Sequence, residues 1–309
     1  MKEVVAAGLH SLAHASGASA FLSRAQHAWR ILMFHGIGGL EYPTEVFEAQ
    51  IRYLCRHFRV RPLSWLVPRL SDPDSRPDRE VVLTFDDGLR NNCSVAYPIL
   101  KRLGVPATFF VCPGLVESGR WLWNHEARER LLSLSPEDRA LLARRLGVAE
   151  AAESIVAWMK TLPTEARMAA EAEIRSASAG FSPSSEQHER FDMASWEEIL
   201  SLDPSIVSVG SHSLTHPIVC HLDGEALTDE IVGSRRNLEE RLGRSVDTFC
   251  YPNGAMTTKV DALVRKTYAA AVTTKESLVG RGQDPYTLPR VPTSVKTPLL
   301  AWRLHHPAS

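Results

Sequence analysis

Two carboxylates stand side by side at Asp86 and Asp87, at the end of the apolar run Val81-Val82-Leu83-Thr84-Phe85 and directly before Gly88. A short β-branched run of this kind reads as a buried parallel strand, and its C-terminal end is where α/β enzymes hold their chemistry. Two adjacent acids at a dry strand end repel each other unless a cation, a shared proton or solvent separates them, so the pattern calls for a partner such as a metal ion. Complementary ligands lie downstream in Ser211-His212-Ser213-Leu214-Thr215-His216-Pro217, after a second strand-like run over 206–210. On a helical turn, histidines at i and i+4 share one face and reach one ion. Two imidazoles and one carboxylate leave an open position for water, as a hydrolytic metal site requires, and the second carboxylate is then available as a general base. Ligands of this type favour Zn²⁺, with Co²⁺ or Ni²⁺ also accommodated.

Alone, each pattern is a common turn or a chance pair. In combination, Thr84-Phe85-Asp86-Asp87-Gly88 and His212-Ser213-Leu214-Thr215-His216-Pro217 resemble the first two motifs of the polysaccharide deacetylases, carbohydrate esterase family 4 or the NodB homology domain. The resemblance covers most of residues 30–300. It implies an α/β fold, specifically a distorted (β/α)7 barrel, with Asp87, His212 and His216 holding the ion and Asp86 acting as general base. The implied reaction is removal of an N-acetyl group from an amino sugar in a polysaccharide, oligosaccharide or lipid-linked glycan precursor. Two alternatives stay open: hydrolysis of another amide by the same metal site, and glycan binding on a fold that has lost catalysis.

The stretch Val246-Asp247-Thr248-Phe249-Cys250-Tyr251-Pro252-Asn253-Gly254 is similar to the third motif of that family, with Cys250 where many members carry an arginine that orients the base. By the same resemblance the backbone N–H near Asn253 helps to hold an oxyanion, and Tyr251 falls beside the substrate. A replacement arginine is available at Arg290, in Thr287-Leu288-Pro289-Arg290-Val291-Pro292, where a guanidinium at a strand end forks to a carboxylate and keeps it ionised. Family members use a histidine in a Leu-x-His string near the C-terminus as general acid, and Leu304-His305-His306 matches it. His35, at the end of the first strand, is the other histidine for that role, and it reads equally as a contact near the metal or as a structural histidine under the site.

These residues need a scaffold, and the pattern supplies one. Residues 1–29 form a weakly amphipathic helical segment broken at Gly17, suited either to packing on its own domain or to peripheral contact with the inner membrane surface. The deacetylase-like domain occupies 30–309. Strand-like runs at 30–34, 81–85 and 107–111 alternate with helical periodicity, including Val95, Ile99, Leu100 and Leu103 on one face, so parallel βαβ pairing is expected. Residues 121–192 break this rhythm with an Ala-, Glu-, Arg- and Leu-rich composition, which predicts a helical insertion and a wall over the substrate groove. Trp121 and Trp123 at its start either stack on a sugar ring or anchor the insertion in the core.

With 44% hydrophobic and 23% charged residues over 309 positions, the chain has ample material for a core. A formal net charge of −1 provides no global field for nucleic acid. The five cysteines are widely spaced and odd in number, which suggests a reducing compartment. No stretch has the length of a transmembrane helix or the apolar core of a secretory signal, and a cytoplasmic protein is expected.

Overall fold

The computed structural model describes residues 2–307. Strand β3 (Glu80–Phe85), which delivers the paired carboxylates, is buried at all six positions, as a parallel strand covered on both faces must be. Around it lie β1 (Arg30–Phe34), β2 (Arg59–Val60), β4 (Ala107–Val111), β5 (Val207–Ser211), β6 (Thr248–Cys250), β7 (Ala270–Glu276) and β8 (Leu288–Pro292). The sheet runs in the order β1-β8-β7-β6-β5-β4-β3-β2, and β1 also pairs with β3. Every pairing is parallel, so seven strands close into a barrel and the short β2 adds to the start of β3. This is a (β/α)7 barrel with surrounding helices.

The register from Arg30↔Val81 to Phe34↔Phe85 puts the ends of β1 and β3 level. Phe34 stacks on Phe85 at 4.8 Å, and Phe109 meets Phe85 edge-on at 5.0 Å, which fixes this rim of the barrel by aromatic packing. At Gly210 in β5 a Cβ would lie 2.5 Å from the Phe110 ring, so only glycine lets β4 and β5 approach this closely.

Between β4 and β5 the chain leaves the barrel to form helices Trp123–Ser133, Pro136–Leu146, Ala152–Met159, Thr164–Ala177 and Ser185–Phe191. Leu131, Leu142, Ile155, Met159 and Ile174 give the first four of these a core of their own. Ser135 caps the second by accepting the Asp138 N–H at 3.0 Å, with Pro136 at the first helical position. At the N-terminus, helices Lys2–Ala15 and Ala18–Ala25 pack against Thr297–Arg303, with His10 against Trp302 at 5.0 Å. Leu9, Leu12, Phe21 and Leu22 of this pair stay exposed. Among the described residues no helix is long and apolar enough to cross a membrane.

Candidate metal centre

Asp86 and Asp87 follow directly on β3, and both are almost fully buried. The Asp86 backbone N–H donates to the Phe34 carbonyl at 2.9 Å, which continues the β1–β3 ladder one residue beyond the strand. Its carboxylate is clamped by Arg290 of β8, with Nη1 to Oδ1 and Nη2 to Oδ2 each at 2.7 Å. The remaining donors of this fully buried guanidinium reach the Thr273 carbonyl (2.8 Å), Thr84 Oγ1 (3.0 Å) and Cys250 Sγ (3.2 Å). All its N–H groups are therefore used, as a charge in the centre of a barrel requires. Burial works against ionisation of Asp86, and Arg290 overrides it, holding the carboxyl below the usual carboxylate range.

Asp87 turns the other way. Its φ of 77° is left-handed and aims its carboxylate at the histidine loop after β5. His212 Nε2 and His216 Nε2 lie 3.5 and 3.7 Å from Asp87 Oδ1. A backbone carbonyl only accepts, so His212 Nδ1 donates its proton to the Cys250 carbonyl at 2.8 Å, which turns Nε2 into the site toward Asp87. Burial, reinforced by His212 alongside, pushes His216 down to about 3, so this imidazole is neutral and able to ligate. One ligand atom from each of Asp87, His212 and His216 falls within 4.8 Å of the others. Asp86, His212 and Cys250 are equally close, but Arg290 already occupies both Asp86 oxygens and the sulfur. The chemistry of the donors thus fits a divalent ion at the first group and not at the second.

The two histidines do not share a helical turn, as their spacing had suggested. Residues 212–216 form a bent loop with left-handed φ at Ser213 (63°) and His216 (59°). Glu230 holds this loop in shape, accepting from the Leu214 N–H (2.8 Å), the Thr215 N–H (2.9 Å) and the Thr215 hydroxyl (2.6 Å). Ser213 Oγ accepts the His216 N–H at 3.0 Å. The convergence arises from loop curvature rather than from the helical period.

His35 stands half-exposed at the end of β1, with Nε2 4.0 Å from Asp86 Oδ2. Asn253, also left-handed (φ 53°), lines the same cleft. Tyr251 borders it too, but its side chain is fully buried against Phe249, and its hydroxyl donates to Asp261 at 3.4 Å; the ring is a packing group. Neither tryptophan offers a stacking face. Trp121 is buried among Phe181, His188 and Phe191, with Nε1 donating to Asp192 at 2.8 Å. Trp123 is buried in the insertion core under Arg167, and its Nε1 donates to the His216 carbonyl at 3.2 Å. Both are anchors, and Trp123 also steadies a ligand loop.

His306 is not brought to this centre. The neighbouring Leu304 carbonyl accepts from Arg30 Nε at 2.7 Å, and Arg30 begins the strand whose other end carries His35. His306 stacks on Trp302 at that opposite end of the barrel, about 15 Å away at the rise of a five-residue strand. The Leu-x-His string therefore matches without the geometry.

The insertion contributes groups that sequence reasoning missed. Asn124, His125 and Lys160 line the metal cleft beside Asp86, Asp87, His212 and His216. Burial lowers the His125 pKa, so a neutral imidazole faces the centre. The available signal was the placement of Asn124 and His125 directly after two buried tryptophans, which fixes where that helix starts. A second cleft of ≈ 340 Å³, lined by Glu41, Tyr42, Arg128 and Arg190, meets the metal cleft at His35, Asp87 and His125.

The family model for polysaccharide deacetylases matches residues 74–272, well over half of the chain, and the chain belongs to that family. Among curated proteins it is similar to YxkH of Bacillus subtilis (strain 168), assigned by name to the polysaccharide deacetylases, at 36% identity over 89 residues. That match spans 26% of this chain and 30% of YxkH. Among solved structures, IcaB from Ammonifex degensii superposes with a TM-score of 0.62 at 19% identity, over 91% of this chain and 98% of that one. The Streptococcus pyogenes deacetylase PplD, in complex with acetate, gives 0.60 at 18% over 89% and 98%. At these identities the two structures establish the shared fold.

Proposed function

We propose that this chain is a metal-dependent carbohydrate N-deacetylase, acting on an N-acetylated amino sugar within an oligosaccharide, polysaccharide or lipid-linked glycan. The observation that carries this reading is the division of labour between adjacent acids. Asp86 is held ionised by a bidentate arginine, while Asp87 converges with two histidines whose Nε2 atoms face it. Asp87, His212 and His216 would hold the ion, Zn²⁺ by ligand type, and a bound divalent ion supplies Lewis-acid polarisation and acidifies water.

The protein's own groups provide the rest. Asp86 keeps lone pairs beyond those given to Arg290, and as a carboxylate it accepts a proton from the attacking water. His35, half-exposed at the junction of the two clefts, protonates the departing amine. The backbone at Asn253 offers an N–H to the carbonyl oxygen as charge develops on it. Products are acetate and a free amino sugar. Two clefts meet at His35, Asp87 and His125, and the added room suits a sugar within a chain better than an isolated one. All five cysteines are unpaired, consistent with work in a reducing, cytoplasmic setting. The PplD structure holds acetate, the product expected here by analogy.

The test is acetate release from a panel of N-acetylated oligosaccharides by the metal-loaded protein and by Asp86→Asn. A collapse of at least about 100-fold in the variant, at unchanged metal content, is the expected result. Equal release by both proteins removes Asp86 from the chemistry, and release of a different acid identifies another amide.

A further inference from the structure

The charges lining the two clefts do not cancel. In the larger one, Arg128 is paired with Glu153 at 2.9 Å, and Arg190 with Glu41 at 2.5 Å while it covers Phe191. Asp86 is matched by Arg290, and a divalent ion at Asp87 more than offsets that carboxylate. Lys160, at the C-terminal cap of helix Ala152–Met159, also lines the metal cleft and is exposed there. Its ammonium makes no ion pair or side-chain hydrogen bond with any described residue. In the same wall stands Asn124, a half-buried amide that lines the cleft. A concave site with an excess of one sign concentrates the opposite sign.

We propose that the substrate carries an anionic group, a phosphate ester or a carboxylate, on or next to the N-acylated sugar, and that Lys160 of the insertion recognises it. This deepens the deacetylase reading and rests on it for the identity of the sugar. A helical insertion that closes one side of the cleft with a single uncompensated cation selects among glycans by charge, while the barrel residues carry the chemistry. Lys160 thus acts as a specificity determinant, not as a catalytic residue.

Binding and turnover are measured separately on the metal-loaded full chain. Calorimetry compares N,N′-diacetylchitobiose, N-acetylglucosamine 1-phosphate and a glucuronic acid–N-acetylglucosamine disaccharide on wild type, Lys160→Gln and Lys160→Glu. At least one anionic probe is expected to bind roughly fivefold more tightly than the neutral one, the ratio of a partly exposed charge pair. The ratio disappears in Lys160→Gln and inverts in Lys160→Glu, and it narrows with added salt. Which probe shows it identifies phosphate or carboxylate. The same ratio in all three proteins overturns the proposal, whatever the acetate assay gives. A Lys160-dependent ratio without acetate release from any probe upholds anion recognition and counts against the deacetylase reading instead.

Discussion

Replacing Arg290 by methionine removes every donor that Asp86 has inside the barrel while keeping an unbranched stem in the packed space. Breaking a buried ion pair from one side costs about 3–5 kcal/mol, because the other charge stays behind without a counter-ion. Against a domain stability of about 5–15 kcal/mol, the variant folds with much of its margin gone. The sign of the pH dependence follows from Asp86. In the wild type its folded pKa lies below the unfolded value, so its contribution is complete above about pH 4 and is lost as pH falls through the folded pKa. In Arg290→Met the clamp that outweighed burial is gone, and burial raises the folded pKa above the unfolded one against the weaker pull of His212 and His35. The variant then takes up protons on folding between about pH 4 and that raised value. Its deficit against wild type is therefore largest at neutral pH and shrinks toward pH 4. Urea melts of chelator-treated protein at neutral and acidic pH measure it, and a double-mutant cycle with Asp86→Asn isolates the pair. A loss below about 1 kcal/mol, typical of an exposed pair, or one equal at both pH values, refutes the reasoning.

Three other perturbations probe the scaffold of the site. Glu230→Gln keeps the shape of the side chain but weakens three bonds to the loop between the histidine ligands, and metal affinity read by competition with a chelating dye should fall about tenfold; unchanged affinity means the loop holds itself. His306→Asn, at the opposite end of the barrel, should leave acetate release at the wild-type level, and a pH profile that loses its alkaline limb would return the general acid to the C-terminus. Gly210→Ala forces a methyl to within 2.5 Å of the Phe110 ring, and the expected loss of about 1–3 kcal/mol is read from the urea midpoint at unchanged slope.

The barrel and the convergence of Asp87, His212 and His216 were legible because they obey local rules. β3 reads as a buried run ending in acids, and β5 as a run ending in histidines; parallel pairing does the rest by bringing every such end to one rim. Arg290 was found through the resemblance, since Cys250 stands where many family members carry the arginine that orients the base; the structure places Arg290 in the middle of β8 rather than at its end. The failures have a common cause. Trp121, Trp123 and Tyr251 carry the right chemistry for a sugar, but the tryptophans are buried by how the insertion docks and Tyr251 by packing on Phe249 in the barrel, which no local pattern records. His306 matched a short string whose position depends on the direction of the helix before it. Lys160 is an ordinary helix-terminal lysine in sequence and gains meaning only from the cleft it lines.

Backbone strain at the site follows a rule of its own. Among the described residues, the non-glycine positions with left-handed φ are Asp87, Ser213, His216 and Asn253, all in the three loops that make the centre. Each such residue costs of order 1 kcal/mol or more relative to glycine. Glycine would relieve that cost and does so in neighbouring turns, at Gly88 (φ 73°) and Gly254 (φ 67°). At Asp87 and His216 it would also delete a candidate ligand, and at Ser213 the hydroxyl that accepts the His216 N–H. At Asp87, Ser213 and His216 strain is thus retained where a side chain is needed. Adjacent acids can then serve different ends only because the chain reverses hand between them: Asp86 continues the strand toward Arg290, and Asp87 turns out toward the histidines.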